Sequence, residues 1–244
     1  MESKYDLDPN QSCKPSVELY NSVLKMYNRS IPVFNQGQKN QKVNGTSKER
    51  LAVEKIESIL RHMIAYGERN ISAAPNTETY NIAISSFAEC GDARAAEELL
   101  NEMIESESEV VQPNVISYNT AIEGWSRSQE HGAADRADHI LNMMEKVDNW
   151  KNLAPTSTSF IGVISAYCRC RASKSGERAQ DVLERFERSG LQVESYVYNT
   201  VLDCHAKSGR KDSIDKVEAL LERMVTLDVA NRYDSVFANV LSLC

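Results

Sequence analysis

The chain has 244 residues, 41% of them hydrophobic and 26% charged, with a formal net charge of −7. That balance excludes a disordered chain and a strongly basic nucleic-acid domain, while leaving room for a local basic patch. No apolar run approaches the ~20 residues that span a bilayer.

The opening stretch "MESKYDLDPNQSCKP" carries early acids and no apolar core, unlike a secretory signal or an acid-poor transit peptide. Residues 1–16 read as a tail. The six cysteines are scattered, with no signal sequence ahead of them, which points to reduced thiols.

From Val17 onward one phrase recurs. It reads "VELYNSVLKMY" from Val17, "TETYNIAISSF" from Thr77, "VISYNTAIEGW" from Val115, "STSFIGVISAY" from Ser157 and "SYVYNTVLDCH" from Ser195. A degraded copy, "DSVFANVLSLC", begins at Asp234. The aromatic anchors Tyr20, Tyr80, Tyr118, Phe160, Tyr198 and Phe237 stand 60, 38, 42, 38 and 39 residues apart by their numbers. Tyr80, Ile84 and Phe87 fall at i, i+4 and i+7, as do Tyr118, Ile122 and Trp125, so each phrase lays one apolar face on a helix.

A second phrase follows each of the first five: "IESILRHM" from Ile56, "AEELLNEM" from Ala96, "ADHILNMM" from Ala137, "AQDVLERF" from Ala179 and "VEALLERM" from Val217. Each begins with a small or β-branched residue and has apolar residues at +3 and +4, then Met or Phe at +7, with charges opposite. The unit is therefore helix A, a turn, then helix B. Gly91 and Gly209 supply the left-handed residue that ends a helix, and Pro75, Pro113 and Pro155 punctuate the start of the next unit. No segment sustains period-2 alternation, so the prediction is an all-α fold. One hairpin cannot cover its own stripe, whereas stacked hairpins can, which gives a solenoid. The predicted units are 17–76, 77–114, 115–156, 157–194 and 195–233, with a partial sixth at 234–244. The first contains a polar insertion, "NRSIPVFNQGQKNQKVNGTSK", from Asn28. From Leu19 to Lys48 there is no acidic residue, and Lys25, Arg29, Lys39, Lys42 and Lys48 read as a solvated stretch, the alternative being added nonspecific phosphate contacts.

The phrase "PNVISYNTAIEGW", followed by "ADRADHILNMMEK", resembles the pentatricopeptide repeat, and the resemblance extends over about residues 16–244. It implies a right-handed superhelix that binds single-stranded RNA at roughly one base per repeat, in organellar RNA processing, stability or translation. It also implies residence in a mitochondrion or plastid. In that family two residues per unit read the base, the fifth and the last. Here the fifth residues are Asn21, Asn81, Asn119, Ile161, Asn199 and Ala238. The last residues are Asn76, Asn114, Thr156, Glu194 and Tyr233. The Asn/Asn pairs of units one and two resemble pyrimidine readers. The second residue sandwiches the base, a role that falls to Ile116 and Tyr196.

Spacing alone adds a second column. Eight residues after the fifth positions stand Arg29, Glu89, Arg127, Arg169 and Lys207. Eight residues at about 100° each leave them roughly 80° around the helix from the Asn column. Arg29, Arg127, Arg169 and Lys207 thus form a candidate phosphate ladder, the alternative being cations placed to suit a helix C-terminus.

Nothing in the chain has the pattern of a catalytic site, a metal site or a small-molecule cofactor loop. The "CRC" at 168–170 puts its two cysteines about 200° apart on a helix, which suits packing better than shared ligation. The competing reading is a scaffold whose groove takes a peptide or partner protein.

Overall fold

The computed structural model of the chain describes residues 15–31, 47–146, 153–170, 172–208 and 213–226. Among them are ten α-helices and no strand: α1 (Val17–Arg29), α2 (Ser47–Gly67), α3 (Thr77–Cys90), α4 (Ala93–Glu105), α5 (Val115–Arg127), α6 (Ala133–Lys146), α7 (Ser157–Cys170), α8 (Ser175–Arg188), α9 (Ser195–Ser208) and α10 (Ser213–Thr226). The odd-numbered helices are the A helices and the even-numbered ones the B helices. Lys39, Lys42, Gly209, Tyr233, Phe237 and Ala238 lie outside the described residues, as do the partial sixth unit and most of the polar insertion.

Each hairpin closes for a local reason. In the second unit, Gly91 adopts a left-handed conformation at φ 88° and ends α3, and the Asp92 carboxylate accepts from the Ala95 amide to start α4. The repeated B-helix stripe is buried in every copy. Ile56, Leu60 and Met63, Leu99, Leu100 and Met103, Ile140, Leu141 and Met144, and Val182, Leu183 and Phe186 are all at or near zero exposure. The anchor Phe160 stacks on Phe186 with ring centroids 4.8 Å apart.

Stacking follows one rule. Each A helix packs on the A helix of the next unit, and each B helix packs on that same next A helix. Small residues allow the close A-to-A approach: a Cβ on Gly124 would sit 3.0 Å from the Ala88 Cβ, and one on Gly162 would lie 2.7 Å from Ile122 Cγ2. The B helices reach one another through long charged side chains, as in Arg61–Glu102 at 2.8 Å, Arg136–Glu97 at 2.6 Å and Arg185–Asp138 at 2.6 Å. Helices that pack backbone to backbone on one side and through extended side chains on the other bend the array, with the A row inside.

A polar column ties the two rows together, and the sequence reading missed it. Trp125 Nε1 donates to Glu97 Oε2 at 2.9 Å, and the Tyr167 hydroxyl donates to Asp135 and Asp138, each at 3.2 Å. His205 Nε2 pairs with Gln180 Oε1 at 3.0 Å. The aromatic eleventh residue of each unit therefore reaches a polar residue just after the small residue of the preceding B helix. In the second unit that aromatic is Phe87, which has no polar tip, and the corresponding Glu57 is exposed. Burial, then the charges of Asp138 and Asp135, push the Tyr167 phenol well above its ordinary range, so it stays a donor.

Glu97 is 4% exposed and is shared by Trp125 and Arg136. Glu97→Ala strands the indole N–H in the interior and should cost about 1–3 kcal/mol in urea unfolding, with Glu97→Gln losing less.

Candidate nucleic-acid interface

The inner face is built where one unit meets the next. Asn76 and Asn114, the last residues of units one and two, are the N-caps of α3 and α5. The Asn76 side-chain oxygen accepts from the Thr79 amide at 3.0 Å; that of Asn114 accepts from the Ile116 and Ser117 amides at 3.0 and 3.1 Å. In return, the third residue of each A helix accepts from the cap backbone: Asn76 N–H to Thr79 Oγ1 at 3.2 Å, Asn114 N–H to Ser117 Oγ at 3.1 Å and Thr156 N–H to Ser159 Oγ at 3.0 Å. At Asn76 and Asn114 both halves are made, giving capping boxes that use Ser or Thr in place of Glu, while at Thr156 the Ser159 amide donates to the backbone carbonyl instead.

The fifth-position asparagines join these caps from the unit before. Asn21 Oδ1 accepts from Thr79 Oγ1 at 2.7 Å, Asn81 Oδ1 from Ser117 Oγ at 2.6 Å and Asn119 Oδ1 from Ser159 Oγ at 2.6 Å. Their Nδ2 atoms donate to Asn76 Oδ1 at 3.4 Å, Asn114 Oδ1 at 3.3 Å and Thr156 Oγ1 at 3.2 Å respectively. The fifth and last residues that sequence reasoning paired are therefore in contact, across three consecutive junctions.

The column is not uniform. Asn81 and Asn119 are half-buried, and each keeps one amide proton uncommitted. Asn21 is buried, and its second amide proton goes to Glu78 Oε2 at 3.1 Å. Glu78 is itself paired with Lys25 at 2.6 Å, a hydrogen bond that lowers its carboxyl below the usual range. Asn21 itself therefore keeps no uncommitted amide proton in this arrangement. Asn199 Oδ1 is buried without a partner among the described residues, its own next unit lying outside them. Ile161 puts a methyl-bearing side chain into the fourth place, and its neighbour in the next unit is Val197 rather than Ser or Thr.

The second positions all face solvent, with Ile116 62% and Tyr196 47% exposed. An aliphatic and an aromatic side chain thus stand exposed beside the amide column.

The cationic ladder is only partly free. Arg127 pairs with Glu123, and Lys207 with Asp203, each one helical turn back. Arg29 is exposed at the end of α1. Arg169 donates through Nη1 to Ser126 O at 2.8 Å and Ser126 Oγ at 3.1 Å, at the C-terminal end of α5. Its burial, and then the nearby Arg127 charge, lower its affinity for a proton. Arg169 thus satisfies a helix end, that of α5 in the preceding unit rather than its own.

The cysteines of "CRC" point apart. Cys168 Sγ lies 3.2 Å from Thr200 O on α9, and Cys170 Sγ lies 3.1 Å from Tyr167 O on its own helix. A hydrogen bond to Cys204, then burial, raises the Cys168 thiol. Among the described residues no group of three His, Cys, Asp or Glu could hold a metal ion, and no helix is long and apolar enough to cross a membrane.

A sequence profile described as the PPR repeat family matches residues 75–127, and another, the PPR repeat, matches residues 196–229. Residues 75–127 and 196–229 thus match the pentatricopeptide repeat. The chain's curated relatives bear the same name. One from Arabidopsis thaliana is 26% identical over 62% of this chain and 24% of its own length. A chloroplastic one is 27% identical over 55% and 24%, and a mitochondrial one 25% over 62% and 20%. The chain thus spans about a quarter or less of the length of these relatives. Among solved structures, the pentatricopeptide repeat protein PPR10 from maize aligns over 95% of this chain and 37% of its own, at TM-score 0.58 and 16% identity. PPR10 in complex with an 18-nt psaJ RNA element aligns over 87% of this chain and 26% of its own, at TM-score 0.54 and 21% identity. These likenesses show the fold, a solenoid of stacked helical hairpins.

Asn114 caps α5 and receives Asn81. Asn114→Ala should cost about 1–2 kcal/mol in chemical denaturation, and Asn114→Ser, which restores a cap oxygen, should recover most of it.

Proposed function

We propose that the inner face of this pentatricopeptide array binds single-stranded RNA, without catalysis of its own. In the organelles for which several relatives are named, that binding would serve RNA processing, stability or translation. The observation that carries the reading is the column Asn21, Asn81, Asn119: one amide per unit, each contacting its own unit's last residue at the junction with the next. An amide offers a donor and an acceptor to a base edge, and a column at repeat spacing meets successive bases. Asn81/Asn114 and Asn119/Thr156 are the open readers. Asn21 joins them once Glu78 moves away, and Asn199 occupies the equivalent place in the fifth unit. Ile116 and Tyr196 cover bases. PPR10, which shares the fold, has been seen with an RNA element bound.

Phosphates would be held by Arg29, Arg127, Arg169 and Lys207. In an acidic chain, two of these four charges have a carboxylate one turn away, so affinity is modest and falls with salt. Fluorescence anisotropy with labelled single-stranded RNA pools tests this. Binding should weaken as salt rises, and Arg127, Arg169 and Lys207 changed together to Glu should abolish it. Glu123→Gln with Asp203→Asn, which releases two cations, should strengthen it several-fold. No binding to any pool at low salt would contradict the RNA reading and turn the search of this groove to peptides.

A further inference from the structure

Thr79, Ser117 and Ser159 occupy the third place of α3, α5 and α7, and all three hydroxyls are buried or nearly so. Each hydroxyl accepts the cap N–H of its own helix, and its single proton has two acceptors in reach. From Thr79 the distances are 2.7 Å to Asn21 Oδ1 and 3.0 Å to Asn76 Oδ1; from Ser117 they are 2.6 Å to Asn81 Oδ1 and 3.2 Å to Asn114 Oδ1. From Ser159 they are 2.6 Å to Asn119 Oδ1 and 3.3 Å to Thr156 Oγ1. The shorter bond goes to the preceding A helix every time, rather than to the cap of its own helix.

The arrangement has one polarity. The cap oxygens of Asn76 and Asn114 are held by backbone N–H groups, so they are acceptors. The atom of the fifth-position amide that faces them must be Nδ2, and the other, Oδ1, must face the hydroxyl. An asparagine with no such neighbours presents either end to a ligand. Here Oδ1 is drawn toward the next unit, and what remains for a ligand is an Nδ2 proton. The fourth junction is an internal control. Where the fifth residue is Ile161, the third residue of the next A helix is Val197, and both ends of the link are apolar together.

We infer that Thr79, Ser117 and Ser159 are positioning residues that set the hydrogen-bonding polarity of the base-reading amide in the preceding unit. The reader is then three residues spread over two units, it offers a donor to a base carbonyl, and the fourth unit reads no base polarity. This rests on the RNA-binding function proposed above.

Two measurements on the full chain test it. The first uses short single-stranded RNAs that differ at one base, read by anisotropy. The wild-type chain should discriminate by about 2- to 10-fold at the base facing Asn81, the range expected of one hydrogen bond. Ser117→Ala should reduce this to near unity while leaving the salt dependence of binding unchanged, and Ser117→Thr should keep it. Full discrimination in Ser117→Ala would overturn the inference. Discrimination absent from the wild-type chain would overturn base reading itself, a separate failure.

The second needs no RNA and stands even if Ser117→Ala folds poorly. In a double-mutant cycle at the fourth junction, Ile161→Asn and Val197→Ser should each lower the urea midpoint. The double variant should lie well above the sum of the two losses, because amide and hydroxyl satisfy each other. Additive losses would overturn the amide–hydroxyl link.

Discussion

The structure depends on the contact between one A helix and the next. A helical hairpin has two apolar stripes and can cover only part of either, so no unit is stable alone. Burial drives the stacking, but apolar surface is tolerant of sliding. The junction hydrogen bonds are not: Asn81 meets Ser117 and Asn114 in one register only, and the same holds for Asn119 with Ser159. Because those atoms are shielded, a slip of one residue would strand them at a cost of about 1–3 kcal/mol each. Register, and with it the alignment of every side chain on the inner face, follows from this link.

The link also makes the proposed binding residues packing residues. The last residue of a unit caps the next A helix, and the fifth residue is held by that cap. Neither can be altered for recognition without a consequence for stacking. The thirteenth residues are less constrained. Arg127 and Lys207 fold back on their own helices, Arg169 closes the end of α5, and Glu89 accepts from Ser85. Their common position is a geometric fact of the repeat; only Arg127 and Lys207 have their charge balanced by a carboxylate on their own helix.

Much of this was legible in the sequence. Period and face were readable because Tyr80, Ile84 and Phe87 and their counterparts recur with helical spacing, and the B-helix template predicted the buried residues from Ile56 to Met224. The pairing of fifth with last residues came only with the family resemblance. What could not be read was competition between neighbours. Glu78 looks like an unhelpful charge at a second position, yet it takes an amide proton of Asn21 and so occupies that proposed reader. The pairing of Arg127 with Glu123 was available as an i, i+4 signal and was overlooked. The link between Trp125 and Glu97 was not available, since nothing local tells a buried acid from a surface one. Residues 32–46 and 227–244 contribute nothing to the structural account, being outside the described segments.

The central claim is that the inner amide column is the contact surface for bases. Side-chain NMR of the labelled chain, titrated with a short pyrimidine-rich RNA, tests it most directly. The account predicts that the Asn81 and Asn119 amide resonances and the Arg127 and Arg169 guanidinium resonances move together and saturate together. Resonances on the outer row, such as Arg61 and Arg185, should stay in place. Shifts confined to the outer row, or saturable binding that leaves both amides unmoved, would contradict it.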